Sequence, residues 1–321
     1  MGRSVTGDRS RPAPVDRRGA LAAAVSAMLY GSAYVATALA LRSFTPLGTG
    51  ALRGLLGAAL LAALLLAPIA AAHRPRELGA GALLRLATLG GLAGPVFVVA
   101  MNIAVDLAGA TVTAFVAGLY AVLAAALGVP LLGERLERRT VAWLGLALAG
   151  TLLLSDLRPS AHLATGIVVG LGAAVAFALF LVLSRRWSAA HRLTGPVVAL
   201  AGLSEMGVGI AIYALLAGDP GIWAPVRPEA VAAVVWLAVG PGMLAAMLVV
   251  RGMQRLPARR ASAFLLLNPP TATIGAWLLL GERLTPTQLV GGGLVLVAIA
   301  GASGLLRARG VRAVRPPSAA A

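Results

Sequence analysis

Ten apolar runs, each near the length needed to cross a bilayer, divide this 321-residue chain. They fall at 19–40, 47–70, 82–104, 109–131, 140–156, 164–184, 195–216, 230–250, 260–280 and 286–306. A helix needs roughly 20 mostly apolar residues to span the hydrocarbon core. Every backbone polar group in lipid must be bonded internally, and runs of this length and composition meet that demand as helices. Charged residues make up only 12% of the chain, against roughly 25% in soluble domains. The expected fold class is an all-α membrane protein with ten transmembrane helices, its partners being the lipid bilayer and a small molecule.

The arginines set the orientation. All 27 basic residues are Arg, and the formal net charge is +16. Such a charge would also suit nucleic acid, but these residues sit in short clusters between apolar runs, so no nucleic-acid face is expected. With the N-terminus inside, 22 arginines fall in inside segments and four (Arg42, Arg158, Arg227, Arg283) outside, with Arg53 left in the second run. That split obeys the positive-inside rule with both termini cytoplasmic, and an odd number of spans would scramble it. The expected location is a bacterial plasma (inner) membrane. Residues 1–18 and 307–321 read as cytoplasmic tails. A signal peptide is the competing reading of the N-terminus, but the first run is long and no convincing cleavage site follows it.

A hexapeptide occurs twice. Leu131–Leu136 and Leu279–Leu284 both read Leu-Leu-Gly-Glu-Arg-Leu, offset by 148 residues. At that offset Tyr120 falls on Asn268. A repeat at about half the chain length divides it into 19–156 and 164–306, with five runs each. An odd number of spans per repeat reverses the second, so the halves should have inverted topology. That is the arrangement of carriers whose site lies at the midplane between repeats.

These residues resemble EamA-type members of the drug/metabolite transporter superfamily. The resemblance lies in Tyr30–Ala36 (Tyr-Gly-Ser-Ala-Tyr-Val-Ala), in Ala51–Leu52–Arg53, and in the two Leu-Gly-Glu-Arg-Leu copies, each leading into a Gly-rich run. It implies two five-helix repeats, alternating access, and export of small metabolites, amino acids or drugs. Relatives often carry Glu-Pro in the ninth run. Here the segment reads Asn268–Pro269–Pro270, which removes an ionisable group.

Glu205 is the one acidic residue well inside a run, roughly 15 Å deep at 1.5 Å per residue. A charge there costs roughly 2.5–3.5 kcal/mol on insertion scales, so it should face a cavity or a partner. It is a candidate carrier of a coupling proton or ligand for a substrate amine; the competing role is a protonated structural Glu. Asn268 precedes two prolines, which lack N–H groups and should bend the helix and free carbonyls. It reads as a substrate contact or as the satisfier of its own kink. Tyr120 and Tyr34 are candidates for stacking on a substrate and donating one hydrogen bond. Tyr30 shares the face of Tyr34; with Ser32 and Gly31, helix packing is the competing reading. Asn102 is a candidate wall of an outer vestibule. Arg53 is expected to reach for the headgroups, with substrate binding the competing role. Glu134 and Glu282 are expected to sit at the interface and cap the helix that follows each.

No enzyme is expected. His73, His162 and His191 fall between runs, and there is no HExxH, Gly-x-Ser-x-Gly or P-loop. With no cysteine, thiolate sites and disulfides are excluded. No cofactor or metal is expected. A lipid-linked carrier flippase and a non-transporting membrane scaffold are the competing functions.

Overall fold

The computed structural model describes residues 17–66, 79–132, 138–154, 160–191, 195–245, 247–248, 264 and 267–302. These residues are helical with short connections and no strand; one isolated bridge joins Phe44 to Ile222. The helices are α1 (Arg17–Ala40), α2 (Pro46–Leu66), α3 (Ala80–Gly91), α4 (Phe97–Gly118), α5 (Tyr120–Leu132) and α6 (Arg138–Leu154). They continue with α7 (Ala161–His191), α8 (Gly195–Ser204), α9 (Ile210–Leu216), α10 (Pro228–Leu237), α11 (Asn268–Leu280) and α12 (Pro286–Ala302). Six segments are long and apolar enough to cross a membrane: Arg17–Ala40, Pro46–Leu66, Ala80–Ala108, Ala110–Gly128, Ala161–Ser184 and Val197–Leu216. Val141–Leu154, Pro228–Leu244 and Pro286–Gly301 are shorter apolar helices. Large side chains such as Leu66, Leu84, Leu215, Leu216 and Trp277 stand exposed on the bundle, as lipid-facing positions do. The chain is a multi-pass membrane protein.

Three wide turns interrupt the longer segments. Leu92–Val96 joins α3 to α4, Glu205–Gly209 joins α8 to α9, and Ala238–Leu244 follows α10; all are π-helical. Pro95 and Pro241 explain two of them, since a proline removes one N–H and displaces the carbonyl a turn earlier. Both prolines follow a glycine, Gly94 and Gly240. Gly109 interrupts α4 with φ 81° and ψ 166°, a region essentially restricted to glycine. The sequence places a run boundary at 109, and the chain turns there.

Small residues set the packing, as expected where lipid removes the hydrophobic drive between helices. Gly54 of α2 meets Gly207 of the second π turn so closely that a Cβ on either would strike the other's backbone. Gly150 of α6 and Gly291 of α12 form a similar crossing: a Cβ on Gly150 would lie 2.8 Å from the Gly291 carbonyl oxygen. Gly31 on Asn268 and Thr271, with Gly275 on Val35, sets α1 and α11 side by side and parallel.

The connections gather at two ends. At one, Thr45 Oγ1 donates to Asp219 (2.8 Å), Ser43 Oγ to the Pro225 carbonyl (2.9 Å) and Trp223 Nε1 to the Leu41 carbonyl (2.8 Å). These bonds lock the α1–α2 corner to the loop between α9 and α10. At the other, Arg186 donates to the Leu131 carbonyl (3.0 Å), and Arg85 stands over the Trp187 ring.

Two expectations change. Helix α1 starts at Arg17, inside the segment read as a tail. His162 and His191 lie at the two ends of α7, which outruns its apolar core. Both ends are polar, so composition ended the run before the backbone did. Glu134, most of the two tails, and the arginines at 251, 255, 259 and 260 lie outside the described residues.

Candidate substrate site

The site is built on two helix breaks 148 residues apart. Helix α4 ends at Gly118, Leu119 turns with φ −62° and ψ −14°, and α5 restarts at Tyr120. Helix α11 starts at Asn268 after Leu267, whose φ is −75° and ψ −17°. Pro269 stands at the start of α11, where its missing N–H would have no intrahelical partner anyway. Two threonines serve this end: Thr271 Oγ1 donates to the Leu267 carbonyl (2.7 Å) and Thr273 Oγ1 to that of Pro269 (2.9 Å). The Asn268–Pro269 corner is wedged between α1 and α4. A Cβ on Gly31 would lie 2.6 Å from the Asn268 carbonyl oxygen, and one on Gly118 would lie 3.6 Å from Pro269 Cγ.

Polar side chains converge beside this wedge. Tyr34 and Tyr120 are 5% and 6% exposed, and Asn268 is 6% exposed with its Oδ1 unpartnered. The Tyr120 ring stands edge-on to Phe177 of α7, with centroids 4.9 Å apart. Tyr120 lies within electrostatic reach of Tyr30 and Tyr34.

Arg53 lies beside Tyr30 and Tyr34 of this group. It does not reach for the headgroups. It is 7% exposed, and its Nε and Nη1 are buried without a partner. Its guanidinium lies within electrostatic reach of Tyr30 and Tyr34. The reason is local. Helix α2 packs on α4, α8 and the second and third π turns, while α1 packs on α4, α10 and α11. Arg53 therefore points inward, and its length carries it from α2 toward α1. Its place within an otherwise apolar run was the available signal.

The other candidates are distributed around this group. Asn102 of α4 is fully buried, and its Nδ2 donates to the Pro46 carbonyl (2.8 Å). It also faces Gly50, one turn before Arg53 on α2. Ser32 bonds the Leu29 carbonyl and accepts Trp236 Nε1 (2.9 Å), tying α1 to α10. Glu205 opens the second π turn. Its carboxylate fills the space a Cβ on Gly90 would need, 2.5 Å from Oε1, and it also faces Gly91. No hydrogen bond or ion pair among the described residues joins Glu205 to Arg53, Tyr120 or Asn268.

Glu282 does cap a helix, but not the one that follows it. Its Oε1 accepts the N–H of Ala110 (2.9 Å) and its Oε2 that of Thr111 (3.1 Å). These are two of the four N–H groups left free where the helix restarts after Gly109, the end that favours negative charge. A motif of the second half thus fastens the Tyr120-bearing segment of the first. The next helix, α12, is capped instead by Thr285 and Gln288, which exchange bonds of 3.1 and 3.2 Å, a capping box. Thr111, Trp277 and Glu282 line an open cavity of about 240 Å³ at this end.

The chain is similar to several known proteins. An uncharacterized transporter of Archaeoglobus fulgidus is 31% identical over 178 residues, 53% of this chain and 58% of that protein. The threonine/homoserine exporter RhtA of Escherichia coli K12 is 30% identical over 173 residues, 52% of this chain and 56% of that one. The match thus spans a little over half the length of these curated relatives. A crystal structure shares the fold with a TM-score of 0.64 at 24% identity, over 90% of this chain and 97% of the other. The model of the EamA-like transporter family matches twice, at residues 17–156 and 164–304. With almost the whole chain covered by these two copies, it belongs to the EamA-like transporter family.

Proposed function

We propose that the chain is a secondary carrier that exports small metabolites, amino acids or amine-like drugs across the plasma membrane by alternating access. In this reading ten spans form two inverted five-helix repeats, 19–156 and 164–306, with both termini cytoplasmic. The observation that carries it is the paired breaks at Leu119 and Leu267, each followed by a buried polar residue, Tyr120 and Asn268, with Tyr30 and Tyr34 within electrostatic reach of both Tyr120 and Arg53. Buried, unpartnered polar groups cost stability, and in membrane helices they mark substrate paths. The RhtA relative, named for threonine and homoserine export, supports amino acids as the first substrates to test.

Glu205 takes a separate role as the carrier of a coupling proton. It stands against α3, away from the breaks, so protonation there would act on helix packing rather than on the substrate. Counterflow in proteoliposomes with labelled amino acids and amines tests the carrier. Exchange is expected for at least one compound, and none with any compound would end the reading. Glu205→Gln should leave exchange intact and abolish accumulation driven by a pH gradient.

A further inference from the structure

We infer that Arg53 is the anchor for a substrate carboxylate, with Tyr30 and Tyr34 as its neutral companions. This rests on the carrier reading and names the substrate class of that same site.

The reasoning starts from charge. Arg53 is 93% buried by its 7% exposure, and two of its three nitrogens lack any hydrogen-bond acceptor. No carboxylate among the described residues pairs with it, whereas the exposed Arg227 pairs with the exposed Glu229. An unpaired buried cation is expensive, and a guanidinium does not shed its proton to escape the cost. Folds retain such a group where a ligand completes it.

The neighbours restrict the ligand. Tyrosines supply dipoles and aromatic walls but no counter-charge. No described residue hydrogen-bonds the hydroxyls of Tyr30, Tyr34 or Tyr120, so they are free to serve a bound molecule. One guanidinium balances one negative charge. A carboxylate carries one and suits guanidinium geometry. A phosphate monoester carries close to two at neutral pH and would leave excess charge among apolar walls. Tyr120, within reach of the same two tyrosines, packs on Phe177, and Asn268, whose backbone meets Gly31 next to Tyr30, has its Oδ1 buried without a partner. An acceptor there suits an ammonium or hydroxyl donor on the same substrate. The ligand is therefore a small amino or hydroxy acid bound by its carboxylate.

The test is binding to the purified full-length protein in detergent, read by ligand-induced shifts in thermal unfolding. The probes are the common L-amino acids, the methyl ester of each, 1-aminopropan-2-ol (threonine without its carboxylate) and inorganic phosphate. At least one amino acid should raise the Tm of the natural protein, and its ester should bind far more weakly. Arg53→Gln should weaken that amino acid about a hundredfold, the loss expected when one partner of a buried charge pair is removed. Arg53→Lys should lie between. Without ligand, Arg53→Gln should melt no lower than the natural protein, because the change removes an unpaired charge; a structural arginine would do the reverse. An ester or amine that binds as well as its acid overturns the assignment. So does undiminished binding to Arg53→Gln, a shift by phosphate alone, or no shift with any probe. Counterflow separates this from the carrier reading. Exchange of amines with no preference for acids keeps a carrier and removes the Arg53 assignment. Carboxylate binding without exchange does the opposite.

Discussion

The breaks at Leu119 and Leu267 have nearly the same backbone geometry and different causes. At Leu267 the cause is local: Pro269 and Pro270 supply no N–H, so a helix can start there but not run through. At Leu119 no proline is present. The turn tightens through the Leu119 N–H, which bonds the Val116 carbonyl at 3.1 Å. Tertiary contacts hold it: Gly118 packs on Pro269 and Ile299, and Tyr120 on Phe177. The first break leans on the proline of the second. The same backbone turn can thus be set by prolines in one copy and by packing in the other, provided the copies touch. The side chains differ more than the backbone does, an aromatic ring on one side and an amide on the other.

If the second break is the wedge for the first, forcing that wedge should give the largest effect. Gly31→Ala would put a Cβ 2.6 Å from the Asn268 carbonyl oxygen and 2.8 Å from Thr271 Cβ. Overpacking of this kind costs roughly 1–3 kcal/mol, and the upper end is expected because one of the atoms struck is backbone. Gly118→Ala is the control. Its Cβ would meet only the Ile299 and Pro269 side chains, at 3.3 and 3.6 Å, so its thermal unfolding in detergent should stay close to that of the natural protein. Equal losses from the two would mean that the wedge has no special place.

The next effect comes from the far end of the Tyr120 segment. Glu282→Ala removes both acceptors from the Ala110 and Thr111 N–H groups and should cost about 2 kcal/mol, the upper range for a lost N-cap. Glu282→Gln keeps one acceptor and should lose about half as much. The companion change Gly109→Ala should cost roughly 1–3 kcal/mol, because an Ala at φ 81° and ψ 166° is strained. Helix α11 has no such cap to lose, since its proline start leaves fewer N–H groups open. Thermal melts that do not respond to Glu282→Ala would remove the link between the halves.

The sequence made some of this legible and hid the rest for physical reasons. Helix starts followed composition closely, as at α2, α8 and α12, because lipid forces apolar runs to be helical. The boundary at Gly109 and the break at Asn268 were also readable, being written in glycine and proline. The target of Glu282 was not. A capping carboxylate reads locally as serving the next helix, and only the packing of α11 on α4 shows that it serves a helix 172 residues earlier. The favoured reading of Arg53, a side chain reaching for the headgroups, failed for a similar reason. Depth along a helix says how far a side chain must reach, but not whether its face looks to lipid or inward. Asn102 and Glu205 were picked by polarity alone, which locates a residue in a run without naming its neighbours. The Gly-Pro pairs at 94–95 and 240–241 were a repeat signal that a search for identical stretches passes over.

The smallest change in stability should carry the most information about the two copies. Asn268→Leu deletes a buried Oδ1 that has no partner. Leaving a buried acceptor unsatisfied costs about 1–3 kcal/mol, whereas an apolar group of similar shape can be neutral or stabilising. The variant should therefore melt at the same temperature or slightly higher, and its counterflow should fall sharply if Asn268 serves substrate. Tyr120→Phe makes the matching test in the first copy. It keeps the ring against Phe177 and removes a hydroxyl that no described residue bonds, so it too should leave the melt unchanged. If Asn268→Leu melts lower, the amide holds its own kink, and the second break is structural while the first alone meets the substrate. If both variants melt normally and both lose exchange, the two breaks act on one ligand, and the divergence from Asn to Tyr is a division of recognition between the copies.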